Sequence, residues 1–272
     1  MNVLSLFDGM SCGQVALKRA GIKVDSYFAS EVDKYAIKVT KNNFPKTYHL
    51  GDVRDIGRGP GYLPKINLVL AGSPCQGFSY AGKQLNFIDP KSILFFDFIR
   101  IIKCMNPEYF LLENVMMKKE YRDVISEYMG VEPIVVNSNL VSAQNRKRLY
   151  WTNIPFEQPE DRGILLKDIL ITDGEPTCYS SSGRGNGKVE RRMSSNEKAH
   201  TLTASGYSNR SFTGVIEPCG LVRKLDPIEC ERLQTLEDNY TCGVSDSQRY
   251  KMLGNGWTVD VISHILKGIK GR

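Results

Sequence analysis

Short apolar runs alternate with helical patterns through the first 115 residues of this 272-residue chain. Residues 3–7, 25–30, 67–71 and 109–113 have the length and apolar content of buried strands, and residues 14–20, 33–43 and 92–105 have the spacing of helices. Strands and helices that alternate in this way are typical of a parallel sheet with helices on both faces. We therefore predict an α/β fold with a mostly parallel sheet, whose strand order a single sequence does not give.

The alternation ends after Trp151. Residues 172–215 are rich in Ser, Gly, Thr, Asn and Arg, and residues 182–215 carry six basic residues against two acidic ones. This composition is typical either of a solvated loop region or of an insert that faces nucleic acid, and composition alone does not separate the two. Helical patterns return at 227–236, 245–253 and 259–269.

Composition excludes few classes of protein. The formal net charge of +6 and the pI of about 8.8 permit a polyanionic partner without requiring one. No run of about 18 apolar residues is present, and the opening MNVLSLFDGM lacks the basic start of a signal peptide, so we expect a cytoplasmic protein.

The seven cysteines are scattered without C-x-x-C spacing. This spacing disfavours a disulfide framework or a zinc site and leaves a reactive thiol as one use for a cysteine.

The turn after the first strand, Phe7-Asp8-Gly9-Met10-Ser11-Cys12-Gly13, has glycines that allow a sharp bend and a close approach to a ligand. Ser11 stands where dinucleotide-binding turns have their middle glycine, which disfavours a pyrophosphate ligand. Glu31, at the end of the second strand, is suited to accept ribose hydroxyls, and Asp52 to accept an adenine amino group. A nucleoside cofactor without phosphates, such as S-adenosylmethionine, fits this pattern. The alternative is a plain α/β turn with solvent-facing acids.

The strand at 67–71 leads into Gly72-Ser73-Pro74-Cys75-Gln76-Gly77-Phe78-Ser79, where Pro74 stiffens the approach to Cys75 and the glycines let the loop fold tightly. A cysteine beyond the carboxyl end of a parallel strand lies where open α/β sheets bind ligands. The alternative is an inert buried thiol, which is the commoner state of a lone cysteine.

The next strand ends in Glu113-Asn114-Val115, and strand alternation would put Arg146 and Arg148 on one face of a later strand. The alternative for these arginines is a solvated strand edge. A thiolate, a carboxylic acid and a guanidinium together suit attack on cytosine. The thiolate adds at carbon 6 and loads carbon 5 with electron density, the acid promotes that addition at N3, and the guanidinium fixes the acid and binds O2.

These motifs, in this order, resemble those of the DNA (cytosine-5)-methyltransferase family. Residues 7–13 resemble the family's cofactor loop, 72–79 its Pro-Cys loop, 113–115 its Glu-Asn-Val motif and 144–148 its Gln-x-Arg-x-Arg motif. Residues 223–236 resemble the segment that supports the target recognition region, and 254–259 the C-terminal motif that returns to the cofactor pocket.

Several stretches are also similar to the catalytic domain of the animal de novo methyltransferases, among them Phe7-Asp8-Gly9, Ala29-Ser30-Glu31-Val32 and Gly51-Asp52-Val53-Arg54. The chain departs from the wider family at Ser11-Cys12, which replace a glycine-rich pair. It also has Val32 after Glu31, where bacterial members often carry an aromatic residue that stacks on adenine. Trp257 is the candidate for part of that contact.

The resemblance implies a Rossmann-like S-adenosylmethionine-dependent methyltransferase domain at 1–151, a small target recognition domain at 152–222 and a C-terminal segment at 223–272. It implies methyl transfer to carbon 5 of a cytosine that is flipped out of a specific duplex DNA sequence, with S-adenosylhomocysteine as the product. The implied catalytic residues are Cys75, the covalent nucleophile, with Glu113, Arg146 and Arg148. The implied cofactor residues are Phe7, Asp8, Gly9, Met10, Ser11, Gly13, Glu31, Val32, Asp52, Val53, Pro74, Leu94, Asn255 and Trp257. The candidate DNA contacts are Gln76, Ser79, Arg184, Arg191, Arg192 and Arg210.

The partner implied is double-stranded DNA, with no metal and no membrane, in the cytoplasm of a bacterium or of a phage host. A cognate restriction endonuclease is a candidate protein partner, and the sequence does not separate a restriction companion from a phage or orphan enzyme. Three rival functions are a transfer RNA methyltransferase of the same superfamily, a catalytically inactive DNA-binding protein and a nucleotide-dependent redox enzyme. The Gln76-Gly77-Phe78-Ser79 continuation and the variable insert of about 70 residues favour DNA, and the intact motifs and the missing glycine disfavour the other two rivals.

Overall fold

The structure of the chain is a computed structural model, which describes residues 1–57, 63–73, 90–171, 177–181, 191–194, 196–204, 212–217 and 222–269. The chain divides into two compact units. The first unit comprises Met1–Val136, Lys147–Glu157 and Ser263–Arg272, and the second comprises Asn137–Arg146 and Gln158–Ile262. The domain boundaries after residues 151 and 222 stay a prediction.

The first unit is built on a seven-stranded sheet with the order β3-β2-β1-β4-β5-β7-β6. Its strands are β1 (Asn2–Leu6), β2 (Ser26–Ser30), β3 (Tyr48–Gly51), β4 (Leu68–Gly72), β5 (Tyr109–Val115), β6 (Ile134–Asn137) and β7 (Lys147–Thr152). Strands β1 to β5 pair in parallel, and β7 pairs antiparallel with β5. The mostly parallel sheet predicted from the sequence is therefore confirmed.

Within the described residues, four α-helices connect these strands: α1 (Cys12–Arg19), α2 (Lys34–Asn43), α3 (Pro90–Met105) and α4 (Lys119–Met129). Strands β1 and β4 are buried along nearly their whole length, because both of their faces are covered, as is usual for parallel strands. Trp151 on β7 is fully buried in the same core, and its indole Nε1 donates to Ser126 Oγ over 3.0 Å.

The second unit contains a four-stranded antiparallel sheet with the order β11-β10-β8-β9. The strands are β8 (Thr177–Ser181), β9 (Arg191–Met193), β10 (Phe212–Ile216) and β11 (Val222–Lys224). Helices α5 (Pro227–Leu233), α6 (Asp246–Asn255) and α7 (Val259–Leu266) follow them in the chain. Helix α5 starts with Pro227 in its first turn and a reciprocal pair of hydrogen bonds between Asp226 and Glu229, which is a strong helix start signal.

Three features differ from the sequence predictions. Helix α4 and strand β6 were not predicted, and the stretch rich in Ser and Gly contains the strands β8, β9 and β10. Strand β7 begins at Lys147, so the strand alternation expected for Arg146 and Arg148 does not extend back to Arg146.

Candidate active site

The carboxyl ends of the parallel strands form one edge of the sheet, here called the carboxyl edge. In the strand order β3-β2-β1-β4-β5, the strands β2 and β3 lie on one side of β1, and β4 and β5 lie on the other side. The order in which the chain adds strands to the sheet therefore reverses between β1 and β4. Leu6 at the end of β1 is in register with Ala71 of β4, and Gly72 of β4 is in register with Glu113 of β5. Open α/β sheets bind ligands at such a switch point, outside the carboxyl ends of the strands.

The loop from β1 to α1, residues 7–13, has an unusual backbone. Phe7, Gly9 and Ser11 adopt φ angles of 56°, 60° and 61°, in the left-handed region. Glycine accepts this conformation readily, whereas phenylalanine and serine rarely adopt it. A Cβ atom built on Gly9 would meet nothing within 4 Å, so open space lies beside the loop at that residue.

Glu31 follows β2 and ties the loop to the carboxyl edge. Its Oε2 accepts a hydrogen bond from the Gly9 backbone N–H over 2.8 Å, and its Oε1 accepts from the N–H groups of Val32 and Asp33, also over 2.8 Å. A carboxylate offers about four acceptor positions. Oε2 therefore retains capacity to accept a further hydrogen bond.

Asp52 follows β3 and begins a short 3-10 helix (Val53–Asp55). Its Oδ1 accepts from Arg54 Nε over 3.0 Å and its Oδ2 from Arg54 Nη2 over 2.6 Å. The hydrogen bonds from Arg54 hold the pKa of Asp52 below its usual range. The guanidinium of Arg100 on α3 also supports this segment, with Nη1 donating to the Ile56 carbonyl over 2.6 Å.

Glu113 and Arg148 form an ion pair at the carboxyl edge, with Arg148 Nε 3.0 Å from Glu113 Oε1. Both side chains are largely buried. The adjacent Asn114 side chain donates from Nδ2 to Ser73 Oγ over 3.1 Å, and both of these residues are buried. Since Ser73 precedes Pro74 and Cys75, this hydrogen bond links the strand that carries Glu113 to the start of the Cys75 loop.

Arg146 is buried in the second unit. Its Nη1 donates to the Leu202 carbonyl over 2.9 Å, and its Nη2 donates to the carbonyls of Gly254 and Gly256 over 3.1 and 2.9 Å. Gly254 fits closely there, because a Cβ atom would lie 2.2 Å from the backbone carbon of Thr203. Arg146 thus holds two segments of backbone together, and the catalytic role expected for it stays a prediction.

The family model for C-5 cytosine-specific DNA methylases matches residues 1–162 and 160–271. Together these matches cover nearly the whole chain.

The chain belongs to the C-5 cytosine-specific DNA methylase family.

Curated relatives agree with this assignment. The chain is 30% identical to the Type II methyltransferase M1.ScrFI of Lactococcus lactis subsp. cremoris, over 97% of this chain and 76% of that protein. It is 28% identical to the Type II methyltransferase M.HhaI of Haemophilus parahaemolyticus, over 99% of this chain and 94% of that protein. The function predicted from the sequence, cytosine-5 methylation of DNA, is therefore confirmed at the level of this enzyme family.

Solved structures share the fold. The Entamoeba histolytica methyltransferase EhMeth matches with a TM-score of 0.74 at 16% identity, over 98% of this chain and 97% of that one. Spodoptera frugiperda DNMT2 matches with a TM-score of 0.69 at 19% identity, over 98% of both chains. At these identities the matches establish the methylase fold and say nothing of the substrate.

The other predicted cofactor residues of this family member lie in both units. Met10 is buried in the loop 7–13, Val53 is buried in the 3-10 helix, and Leu94 is half-buried on α3. Val32 is 69% exposed, which leaves its side chain accessible to a ligand. In the second unit, Asn255 is the last residue of α6, and the buried Trp257 follows it. Pro74 lies outside the described residues.

The nucleophile predicted for the methylase, Cys75, also lies outside the described residues, as do Gln76, Ser79, Arg184 and Arg210. Arg191 and Arg192 belong to β9. Among the described residues, no cluster of His, Cys, Asp and Glu is arranged to hold a metal ion. No helix in the described part of the chain has the length and hydropathy needed to span a membrane.

Sequence reasoning missed three residues that support the site. Tyr27 and Thr40 contact the loop 7–13, and Arg100 supports the segment after Asp52. In the second unit, Gln234 bonds to Gln144 and to the Leu253 carbonyl. Tyr27 and Thr40 lie 16 and 29 residues beyond Ser11, so no local motif signals these contacts. Gln144 and Gln234 lie within segments that resemble family motifs, which was the available signal.

Proposed function

We propose that this methylase family member transfers a methyl group from S-adenosylmethionine to carbon 5 of a cytosine in a specific duplex DNA sequence, through a covalent adduct on Cys75. The observation that carries the proposal is the Glu113–Arg148 ion pair at the carboxyl edge, beside the strand that leads into Pro74 and Cys75. It brings an acid and a guanidinium to the place from which the thiol-bearing loop departs.

The residues of the carboxyl edge fit a nucleoside cofactor. Glu31 Oε2 retains acceptor capacity for a ribose hydroxyl, and open space lies beside Gly9, whose N–H bonds the same oxygen. Asp52 is the acceptor suited to the adenine amino group, and its carboxylate is held ionised by Arg54. We propose that Glu31 and Asp52 bind the cofactor at its ribose and its base, with Val32 and Val53 flanking the adenine.

S-adenosylmethionine, when bound, supplies an electrophilic methyl group. The protein makes carbon 5 of cytosine nucleophilic by forming a bond between Cys75 Sγ and carbon 6, which breaks the aromaticity of the ring. Glu113 donates a proton or a hydrogen bond to N3 and so takes up the electron density that this addition generates. Arg148 fixes the Glu113 carboxylate, and its other N–H groups are suited to bind O2. Once carbon 5 carries the methyl group, water accepts the carbon 5 proton and the bond between Cys75 Sγ and carbon 6 breaks, with its electron pair leaving on sulfur as a thiolate. N3 returns any proton it received to Glu113, and the aromatic ring is restored.

The target cytosine must leave the DNA stack for this chemistry, because a thiol cannot reach carbon 6 of a stacked base. We propose that residues 152–222 supply sequence recognition, through the basic residues of the stretch 182–215. The curated relatives are Type II methyltransferases by name, which supports a specific duplex site as the substrate. A cognate endonuclease and a cytoplasmic location remain part of this proposal.

A methyl-transfer assay tests the proposal against its rivals. The purified protein would be incubated with S-adenosylmethionine labelled in the methyl group, together with duplex DNA or with transfer RNA. We expect label in 5-methylcytosine of the DNA and none in the RNA. Label in RNA alone would support the transfer RNA rival, and binding of DNA without any transfer would support an inactive binding protein.

The recognition sequence follows from a second measurement. Genomic DNA from cells that express the protein would be sequenced by a method that detects 5-methylcytosine. Methylation confined to one short sequence is expected, and methylation scattered without sequence preference would contradict the proposed specificity.

A further inference from the structure

The loop 7–13 rests on a buried polar network that connects three elements of the first unit. The Asp8 carboxylate, on a residue only 9% exposed, accepts a hydrogen bond from the Ser11 hydroxyl at Oδ2 and from the Tyr27 hydroxyl at Oδ1, the latter over 2.7 Å. Thr40 on α2 places its hydroxyl 3.1 Å from Ser11 Oγ and 3.4 Å from the Gly9 carbonyl oxygen. Ser11, Tyr27 and Thr40 are all buried.

Ser11 is the residue that this network constrains most. It adopts φ 61° and ψ 39°, a left-handed conformation that glycine takes without penalty and serine rarely takes. Ser11 also occupies the N-cap position of α1, where a serine side chain ordinarily accepts a hydrogen bond from the first turn of the helix. Here its side chain makes no such bond, and its hydroxyl donates to Asp8 instead.

We propose that Asp8 is a positioning residue, whose carboxylate holds Ser11 in the left-handed conformation and so fixes the loop 7–13 in the shape that receives the cofactor. The proposal rests on the cofactor site proposed above. A glycine at this position would adopt the left-handed conformation without penalty. In this chain the position is a serine, and the hydrogen bond from Ser11 to Asp8 stabilises that conformation instead. Asp8 acts through Ser11 because its carboxylate is buried and bonds the hydroxyls of Ser11 and Tyr27.

The ionised form of Asp8 is the one that accepts both hydroxyl hydrogen bonds. Burial raises the pKa of Asp8 to about 6, and the hydrogen bond from Ser11 opposes that rise. Glu31 is the charged group that faces Asp8 and adds to the rise, and Tyr27 is the titratable neighbour from β2. Protonation of Asp8 replaces one acceptor position with an O–H donor and removes the charge that strengthens both hydrogen bonds, so we expect the loop to hold its shape best above about pH 6.

The decisive experiment is a double-mutant cycle on cofactor binding. Calorimetry would measure the dissociation constant of S-adenosylhomocysteine near pH 8 for the wild type, Asp8→Asn, Ser11→Gly and the double variant. Without the Asp8 anchor, the fraction of loops with a left-handed Ser11 falls, so we expect Asp8→Asn alone to weaken binding about tenfold. In the Ser11→Gly background the same change is expected to weaken binding less than about threefold, since glycine needs no anchor.

Two further measurements distinguish a positioning role of Asp8 from an effect on the overall stability of the protein. The folded-state pKa of Asp8 is raised, so its ionisation lowers stability as the pH rises through about 6, and Asp8→Asn removes that cost. The melting temperature of Asp8→Asn near pH 8 should therefore not fall while its affinity does. Wild-type affinity should weaken about threefold from pH 8 to pH 5.5, and the affinity of Asp8→Asn should stay constant.

Asp123→Asn makes the same change at an exposed site on α4 and should keep the wild-type affinity and pH dependence. An equal loss from Asp8→Asn in both backgrounds would show that Asp8 acts without Ser11 and would overturn the proposal. Unchanged binding by Asp8→Asn would overturn it as well. A wild-type protein that binds no S-adenosylhomocysteine would instead refute the proposed function on which it rests.

Discussion

Arg148 Nε lies 3.0 Å from Glu113 Oε1 across two antiparallel strands, although the two residues are not direct partners in the register. Arg148 is in register with Val115, and Glu113 with Tyr150, so the ion pair runs diagonally between β5 and β7. Residues two apart on a strand share a face, which allows such diagonal contacts between long side chains. Because β7 runs antiparallel to β5, its first residues lie at the carboxyl edge, where the ends of the parallel strands lie.

The Glu113–Arg148 pair gives the first prediction. Glu113→Gln keeps the shape of the side chain but cannot donate a proton to N3, so the single-turnover methylation rate should fall by about 10²–10⁴-fold. Arg148→Ala should cause a loss of similar size, because it leaves a buried carboxylate without its cation. Lys147→Ala, on the same strand but exposed, is the matched control and should retain the wild-type rate. A loss below tenfold for Glu113→Gln would mean that Glu113 is structural.

Cys75 gives the second prediction. Cys75→Ala should abolish methyl transfer while duplex binding survives, since the role proposed for its thiolate is attack on carbon 6 and not DNA binding. The wild type should form a covalent adduct with DNA that contains 5-fluorocytosine, because fluorine at carbon 5 prevents release of the enzyme. Cys104→Ala, which alters an exposed thiol, should behave as the wild type in both measurements. Turnover by Cys75→Ala would remove Cys75 from the mechanism.

Glu31 gives the third prediction. Its carboxylate accepts three backbone N–H groups and is proposed to accept a ribose hydroxyl as well. Hydrogen bonds to a charged group contribute about 1.5–3 kcal/mol, so Glu31→Ala should weaken S-adenosylhomocysteine binding by at least about tenfold in calorimetry. Glu120→Ala, on helix α4, is the control and should leave the affinity unchanged. An unaltered dissociation constant for Glu31→Ala would exclude Glu31 from the pocket.

Arg146 gives the fourth prediction. Its guanidinium donates hydrogen bonds to the Leu202, Gly254 and Gly256 carbonyls. A lysine ammonium group cannot reproduce the planar arrangement of these donors. Both Arg146→Ala and Arg146→Lys should lower the melting temperature, because each leaves buried carbonyls without a donor, at about 1–3 kcal/mol per group. Differential scanning fluorimetry measures the shift. A melting temperature equal to that of the wild type would show that these hydrogen bonds do not support the second unit.

The sequence predicted the central elements well, because their signals are local. The apolar runs at β1, β2, β4 and β5 and the helical pattern of α3 agree with the structure to within two residues at each end. The sequence did not predict the strands of the second unit, because segments such as Thr177–Ser181 and Arg191–Met193 are short and polar and have no apolar alternation. Pairing with neighbouring strands, rather than their own composition, gives them their structure.

In the candidate site, too, the sequence predicted the residues that have local signals and did not predict the contacts between distant residues. Glu31, Glu113 and Arg148 belong to motifs that the sequence displays, and the structure brings each of them to the carboxyl edge. The contacts of Asp8 with Tyr27 and of Asn114 with Ser73 join residues 19 and 41 positions apart, and no local pattern specifies them. Such pairings depend on strand order and register, which a single sequence does not give.

The last prediction concerns sequence recognition. The methylase motifs lie before residue 152 and after residue 222, and residues 152–222 are the only long segment that carries none of them. Within that segment, the basic residues Arg184, Arg191, Arg192 and Arg210 lie in a stretch rich in Gly and Ser, which allows backbone to approach DNA closely. Arginine is the commonest reader of guanine in the major groove, and it also contacts phosphate without sequence preference.

Each of the four arginines would be changed to Ala, and methylation measured on the cognate duplex and on duplexes with one altered base pair, across a range of salt concentrations. An arginine that contacts a base should lose about 1–3 kcal/mol of discrimination at one position, whereas one that contacts phosphate should weaken all duplexes alike and flatten the salt dependence. Lys224→Ala, an exposed basic residue on β11 outside this segment, is the control. If all four variants keep the rate, specificity and salt dependence of the wild type, recognition resides elsewhere, because base edges are read only by groups that reach into a groove.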